Sequence, residues 1–279
     1  MRAPLRSGYK EQARLVFEMV MELAASTLFC LHKPFEDALT DIVLARTNCI
    51  ELTDDGLHAL TQQRVERLLE LKSSYGLRYA LHAPFANVNI AASDRSIREA
   101  VLRRIEASIQ WASALDAEAL VFHPGATTAL EHFYPGAAWG LNLQAVRRLS
   151  NFARDYGVPA MIENVPEPFP FLMKAVRDFE RFFDEVGLDM KMVLDIAHSN
   201  LIGETEEFIK RFGDRIGHIH VSDNNGQMDE HLQLGEGSID WEETMDSVKA
   251  SHFNGWVVVE SFKGVEESLQ LLERLMTSI

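Results

Sequence analysis

From about residue 22 the chain alternates short apolar or β-branched runs with longer stretches of helical apolar spacing, eight times over. The runs predict strands over Leu23–Phe29, Asn48–Leu52, Arg78–His82, Ala119–His123, Ala160–Glu163, Met192–Asp195, Gly217–Val221 and Trp256–Glu260. Leu120-Val121-Phe122 and Val257-Val258-Val259 are apolar without interruption, as in parallel strands buried on both faces. Arg64–Tyr75 is predicted to be a helix with Val65, Leu68, Leu69 and Leu71 largely on one face. Ser96–Leu115 turns Ile97, Val101, Ile105, Ile109 and Ala112 inward, and Glu266–Met276 aligns Leu269, Leu272 and Leu275. No Gly/Ser- or Pro-rich linker interrupts this alternation. The pattern predicts an α/β fold, a single-domain (β/α)8 TIM barrel over residues 22–279. An open doubly wound sheet fits less well, because no Gly-x-Gly-x-x-Gly follows an early strand. Residues 1–21 read as a polar, weakly amphipathic leader: an extra helix or an upstream start, without the apolar stretch of a secretory signal.

Composition narrows the partners. Forty-two acidic residues against 27 basic ones leave a formal charge of −15. That balance disfavours nucleic acid, whose sequence-independent binding relies on Lys and Arg displacing counterions, although bound metal can reverse a local field. Cys30 and Cys49, the two cysteines, make no disulfide framework and point to a reducing cytoplasm. No apolar run reaches the roughly 20 residues of a membrane span.

In a barrel of this kind the chemistry gathers at the C-terminal ends of the strands. Those ends carry His82, His123, Glu163, Asp195 with His198 three residues on, His220 followed by Asp229 and His231, and Glu260. Six consecutive strands end this way. Crowded carboxylates and imidazoles repel or go unsatisfied unless a cation sits among them, and these donors suit Mn2+, Zn2+, Co2+ or Fe2+. Glu51, at the end of the second strand, is a candidate for the same cavity or a solvated strand end. Glu167 is a candidate substrate contact or a surface charge. Lys33 and Lys263 are candidates for receiving a phosphate, with plain surface lysines as the alternative. Phe85, Trp139 and Phe262 are candidate apolar walls in rim loops. His218 is expected to face the helices, opposite to His220. His32, His58, His132 and His252 show no partner pattern, neither cysteine is placed as a nucleophile, and Gly235-Glu236-Gly237 reads as a turn.

His-Ala-Pro-Phe at 82–85, Phe-His-Pro-Gly at 122–125, Glu-Asn at 163–164, Leu-Asp-Ile-Ala-His at 194–198, His-Ile-His-Val-Ser-Asp at 218–223 and the run 229–240 resemble the xylose isomerase-like TIM-barrel superfamily. Its members include sugar phosphate isomerases and epimerases and the AP endonuclease family 2 enzymes, similar to endonuclease IV. The resemblance spans nearly the whole barrel. It implies a divalent metal, Mg2+ included among the candidates, held by Glu163, Asp195, His220 and Glu260. The endonuclease branch implies further metals through His82, His123, His198, Asp229 and His231, so a mononuclear or a trinuclear site is compatible with these residues. Many isomerase-like members also share those extra elements.

The resemblance implies an isomerase or epimerase acting on a sugar or sugar phosphate. Glu163 and Glu260 would serve as base and acid around an enediolate. A close variant is an inosose dehydratase-like lyase. The alternative is a phosphodiesterase acting on abasic DNA, and a further one is a non-catalytic sugar-binding protein. The endonuclease would need basic or wedge-bearing loops to grip and bend DNA. Here the loop after the first strand, Leu31-His32-Lys33-Pro34, is short, and that after the second carries Asp54 and Asp55. Sugar chemistry is therefore the expected activity.

Overall fold

The computed structural model describes residues 21–277, so the reading of the leader lies outside the described residues except at Met21. Eight parallel strands close into a barrel in chain order: β1 (Glu22–Ser26), β2 (Cys49–Thr53), β3 (Arg78–His82), β4 (Leu120–Phe122), β5 (Ala160–Glu163), β6 (Met192–Asp195), β7 (Ile216–Val221) and β8 (Trp256–Val259). The ring shuts where Leu23 pairs with Val257. Helices α1 (Phe35–Leu44), α2 (Gln62–Tyr75), α3 (Arg95–Ala114), α4 (Ala137–Asp155), α5 (Val176–Val186), α6 (Ile196–Asn200), α7 (Thr205–Phe212), α8 (Trp241–Ala250) and α9 (Val265–Thr277) connect the strands or follow the last one. The chain is thus a single-domain (β/α)8 TIM barrel.

Local chemistry sets the helix ends. The Thr61 hydroxyl accepts from the Arg64 N–H to start α2, and Gly76 ends it in the left-handed region at φ 67°. Asp94 caps α3 by accepting from the amides of Ser96 and Ile97. Val65, Leu68, Ile105, Ile109, Leu269 and Leu272 are buried as their spacing predicts. Leu69 and Ile97 are not; each lies at the margin of its apolar stripe and is exposed.

Side chains alternate between two cores. Ile50, Leu52, Leu120, Phe122, Leu194, Ile219, Val257 and Val259 point outward into the layer between strands and helices. Ala24, Cys49, Ala80, Val121, Met161, Val193, Trp256 and Val258 fill the barrel interior. The same alternation corrects the expectation for His218. Residues two apart on a strand share a face, so His218 and His220 both point inward, and both reach Glu51.

Candidate active site

The upper interior of the barrel is a layer of ionisable side chains, each delivered by a strand end. Glu163, at the end of β5, sits at its centre. Its Oε2 lies 3.2 Å from His82 Nε2 and 3.0 Å from His123 Nε2, and its Oε1 lies 3.0 Å from His220 Nδ1. Glu260, just past β8, brings Oε2 to 3.5 Å from the same His220 nitrogen. Asp195, at the end of β6, caps α6 by accepting from the His198 amide at 2.7 Å. Asp229 lies between His198 Nε2 at 3.2 Å and His231 Nε2 at 3.1 Å. Seven of the nine residues that the resemblance singled out line one cavity, and the other two, Asp195 and His220, cluster with Glu163 and Glu260.

Four of the histidines are built alike. One ring nitrogen is anchored behind: His82 Nδ1 to the Ala83 carbonyl at 2.8 Å, His198 Nδ1 to the Asn164 carbonyl at 2.8 Å, and His231 Nδ1 to the Glu260 carbonyl at 3.0 Å. His220 instead uses Nε2 toward Glu51 Oε2, at 3.3 Å. Each anchor accepts only from an N–H, which leaves the opposite nitrogen as a lone pair facing a carboxylate. A lone pair facing an anion is repulsive unless a proton or a cation lies between them. Buried Asp195 Oδ2, Asp229 Oδ1 and Glu260 Oε1 have no hydrogen-bond partner. Anchored imidazoles with free carboxylate oxygens are a fitting shell for divalent metal. Ligand atoms of Glu163, Asp195, His220 and Glu260 lie within 4.8 Å of one another, as do those of His82, His123 and Glu163. Glu51, His218 and His220 also meet this spacing, but His220 Nε2 is the nitrogen turned toward Glu51 there, leaving Nδ1 for the upper cluster.

The electrostatics follow the same geometry. Burial alone would push the imidazoles down, yet the hydrogen bond and charge of Glu163 raise His82 to about 9. Burial likewise opposes the charged form of His198, but Asp195 and Asp229 raise it to about 10. Burial raises Asp195 to about 7, with Glu163 pushing the same way and His198 opposing. Burial also works against ionised Glu163, but the surrounding imidazoles hold it well below the usual carboxylate range.

Neighbouring residues fix this arrangement. Asn164 accepts from the Asp195 amide at 2.7 Å and donates to the Asp195 carbonyl at 3.0 Å, tying β5 to β6. Asp223, fully buried, accepts from the amides of Asn224, Gly235 and Ile239 and from the Trp241 indole, so it shapes the loop that presents Asp229 and His231. In that loop a side chain at Gly237 would collide with Asp223 and the Asn224 carbonyl. His231 itself sits in the left-handed region at φ 48°, a strained placement of the kind that gathers at functional sites.

The remaining candidates separate. Glu51 is wholly buried beneath His220 and does not line the cavity, so it is neither a solvated strand end nor a group open to substrate. Glu167 pairs with Lys174 at 2.7 Å and also lies outside the cavity lining. Lys33 lines the cavity but is paired with Asp41 at 2.6 Å; Lys263 lines it too. Phe85 and Phe262 are wall residues, whereas Trp139 is not: it packs in α4, with its indole donating to Glu185 and Arg181 lying over the ring. Phe169 and Phe171 join the wall from an irregular loop, where no periodic pattern marks them. Asp54 and Asp55 are both engaged, Asp54 with Arg104 and Asp55 with the amides of Phe85 and Ala86. Cys30 and Cys49 are buried free thiols.

The family model described as xylose isomerase-like TIM barrel matches residues 47–275. An uncharacterized protein of Methanocaldococcus jannaschii is 34% identical over 224 residues, covering 79% of this chain and 85% of that protein. A D-tagatose 3-epimerase-like protein of known structure superposes with a TM-score of 0.86 at 26% identity, over 92% of this chain and 97% of the other. The IolI protein, solved with a zinc atom, has the same fold, with a TM-score of 0.74 at 19% identity over 92% and 96% of the two chains. Relatives that carry a named activity include sugar epimerases and isomerases.

Proposed function

The chain belongs to the xylose isomerase-like TIM-barrel family, and from that premise we propose that it is a divalent-metal-dependent epimerase or isomerase of keto sugars. One observation carries the reading: four anchored imidazoles turn their second nitrogen onto Glu163, Asp229 or Glu260, while one buried oxygen each of Asp195, Asp229 and Glu260 has no hydrogen-bond partner. Glu163, Asp195, His220 and Glu260 would hold the ion, and their mixed carboxylate and imidazole donors suit Mn2+, Zn2+, Co2+ or Fe2+ better than Mg2+. Bound there, such an ion supplies Lewis acidity to a carbonyl and its neighbouring hydroxyl.

The proton chemistry belongs to the protein. Glu163 and Glu260 border the cavity floor, one carboxylate taking the carbon-bound proton as the sugar becomes an enediolate and the other returning it. Return to the opposite face epimerises the carbon; transfer to the neighbouring carbon isomerises the sugar. His198 and His231 line the same floor within reach of substrate hydroxyls. Buried free cysteines support a cytoplasmic location, and no helix among the described residues is long and apolar enough to cross a membrane.

The test is proton exchange at the carbon next to the carbonyl, followed by NMR in deuterated water over a panel of ketoses. Exchange by the wild-type protein that is lost in both Glu163→Gln and Glu260→Gln supports the reading; near-normal exchange in both variants removes it.

The convergence of all nine ligand positions supports a second reading, metal-dependent hydrolysis of abasic DNA. Against it, two lysines line the cavity among the described residues, one of them already bound to Asp41. Anomalous scattering decides between them: one ion favours sugar chemistry, and three together with nicking of abasic-site DNA favour hydrolysis.

A further inference from the structure

The cavity above the carboxylate–imidazole layer has a volume of about 1050 Å3. Pockets for drug-sized ligands run from about 300 to 1000 Å3, and a free monosaccharide is much smaller than such ligands. The extra space is walled by phenylalanine. Phe29, Phe85, Phe169, Phe171 and Phe262 line it from the loops after β1, β3, β5 and β8. Phe169 and Phe262 are 51% and 52% exposed, so barrel packing does not account for them.

The wall begins at the histidines on the cavity floor. Phe262 stacks on His231 with ring centres 4.6 Å apart, and Phe85 and Phe171 each lie 6.0 Å from His123. Phe169 continues outward, 6.2 Å from Phe171. A phosphate-bearing substrate would call for several cationic donors. Among the described residues the lysines lining the cavity are Lys33, bound to Asp41, and Lys263. Exposed aromatic surface of this extent marks a binding site, and its continuity with the ionisable floor assigns the occupant to the substrate rather than to a flat protein face.

We infer that the substrate is a sugar conjugate, with its keto-sugar end on the ionisable floor and an alkyl or aromatic substituent against the phenylalanine wall. This rests on the epimerase or isomerase reading and narrows its substrate class. The metal-loaded full chain is titrated calorimetrically with D-fructose 6-phosphate and with the 6-O-methyl and 6-O-benzyl ethers of D-fructose. Proton exchange on each is followed by NMR.

The benzyl ether is expected to bind about ten- to a hundredfold more tightly than the methyl ether. The half-exposed sites tolerate truncation, so Phe169→Ala and Phe262→Ala should each shrink that ratio. Benzyl preference without exchange upholds the apolar subsite and removes the epimerase reading. Exchange on all three with the phosphate bound best, or equal binding of the two ethers, overturns the inference and leaves that reading standing. No binding of the benzyl ether at millimolar concentration also overturns it. So does a benzyl preference that survives both substitutions, or sedimentation showing that the wall is buried between two copies of the chain.

Discussion

Glu51 Oε2 lies 3.3 Å from His220 Nε2 while Glu163 Oε1 lies 3.0 Å from His220 Nδ1, so one imidazole is held between two carboxylates. The lower carboxylate accepts the ring proton and turns the other nitrogen toward the cluster above. Partners of this kind typically account for a 10–100-fold difference in metal affinity. Glu51→Gln, whose neutral amide oxygen is a weaker acceptor, is expected to weaken Mn2+ or Zn2+ binding by at least about tenfold, measured by calorimetric titration. Unchanged affinity would reduce Glu51 to a packing role.

Metal binding should release protons. Among the proposed ligands, despite its burial, His220 is held well above the ordinary 6.5 by Glu260, Glu51 and Glu163, and burial raises Asp195 to about 7. Protons therefore remain on these ligands near neutral pH in metal-stripped protein, and a cation must displace them. Affinity should rise with pH from 6 to 8, and the heat of binding at pH 7 should vary with the ionisation enthalpy of the buffer. A heat independent of buffer would contradict this.

The Asp223 carboxylate serves four donors with no other partner recorded for them. Asp223→Ala strands those groups, of which the Asn224 amide and the Trp241 indole are buried, and each buried unsatisfied donor costs about 1–3 kcal/mol. A loss of at least about 3 kcal/mol in unfolding free energy is expected from denaturant titration. Gly237→Ala should also destabilise, because its methyl group meets the same carboxylate.

Burial, with the charge of Asp41 adding to it, pushes the Cys30 thiol up to about 12, and burial pushes Cys49 up to about 11. The thiolate is the reactive form. Native protein at pH 8 should resist iodoacetamide at both positions and take up two labels once denatured, as read by mass spectrometry. Rapid labelling of native protein would show that the core around β1 or β2 opens.

Strands such as β4 and β8 were legible because both faces are buried, which leaves uninterrupted apolar runs; β3, β5 and β6 begin and end where the sequence predicts. The polar strand ends were legible for the converse reason, since an ionisable residue that closes an apolar run stands out. His218 faces inward because residues two apart on a strand share a face, so it follows His220 and reaches Glu51. Trp139 could not be separated from true wall residues, because an aromatic in a helix and one in a rim loop look alike without contacts. Phe169, Phe171 and Asp223 lie in irregular loops, whose partners are settled only by three-dimensional closure.

The pairing of β8 with both β1 and β7 has a consequence for how the protein matures. Glu260 follows directly on β8, so the ligand shell is incomplete until that last strand slots between the first and the seventh. Contacts so distant along a chain form late, after the local helices and neighbouring strands. On the proposed function, acquisition of metal would be timed to barrel closure: an unfinished chain would present scattered imidazoles and carboxylates with little hold on a cation, and the closed ring would gather them into a tight grip.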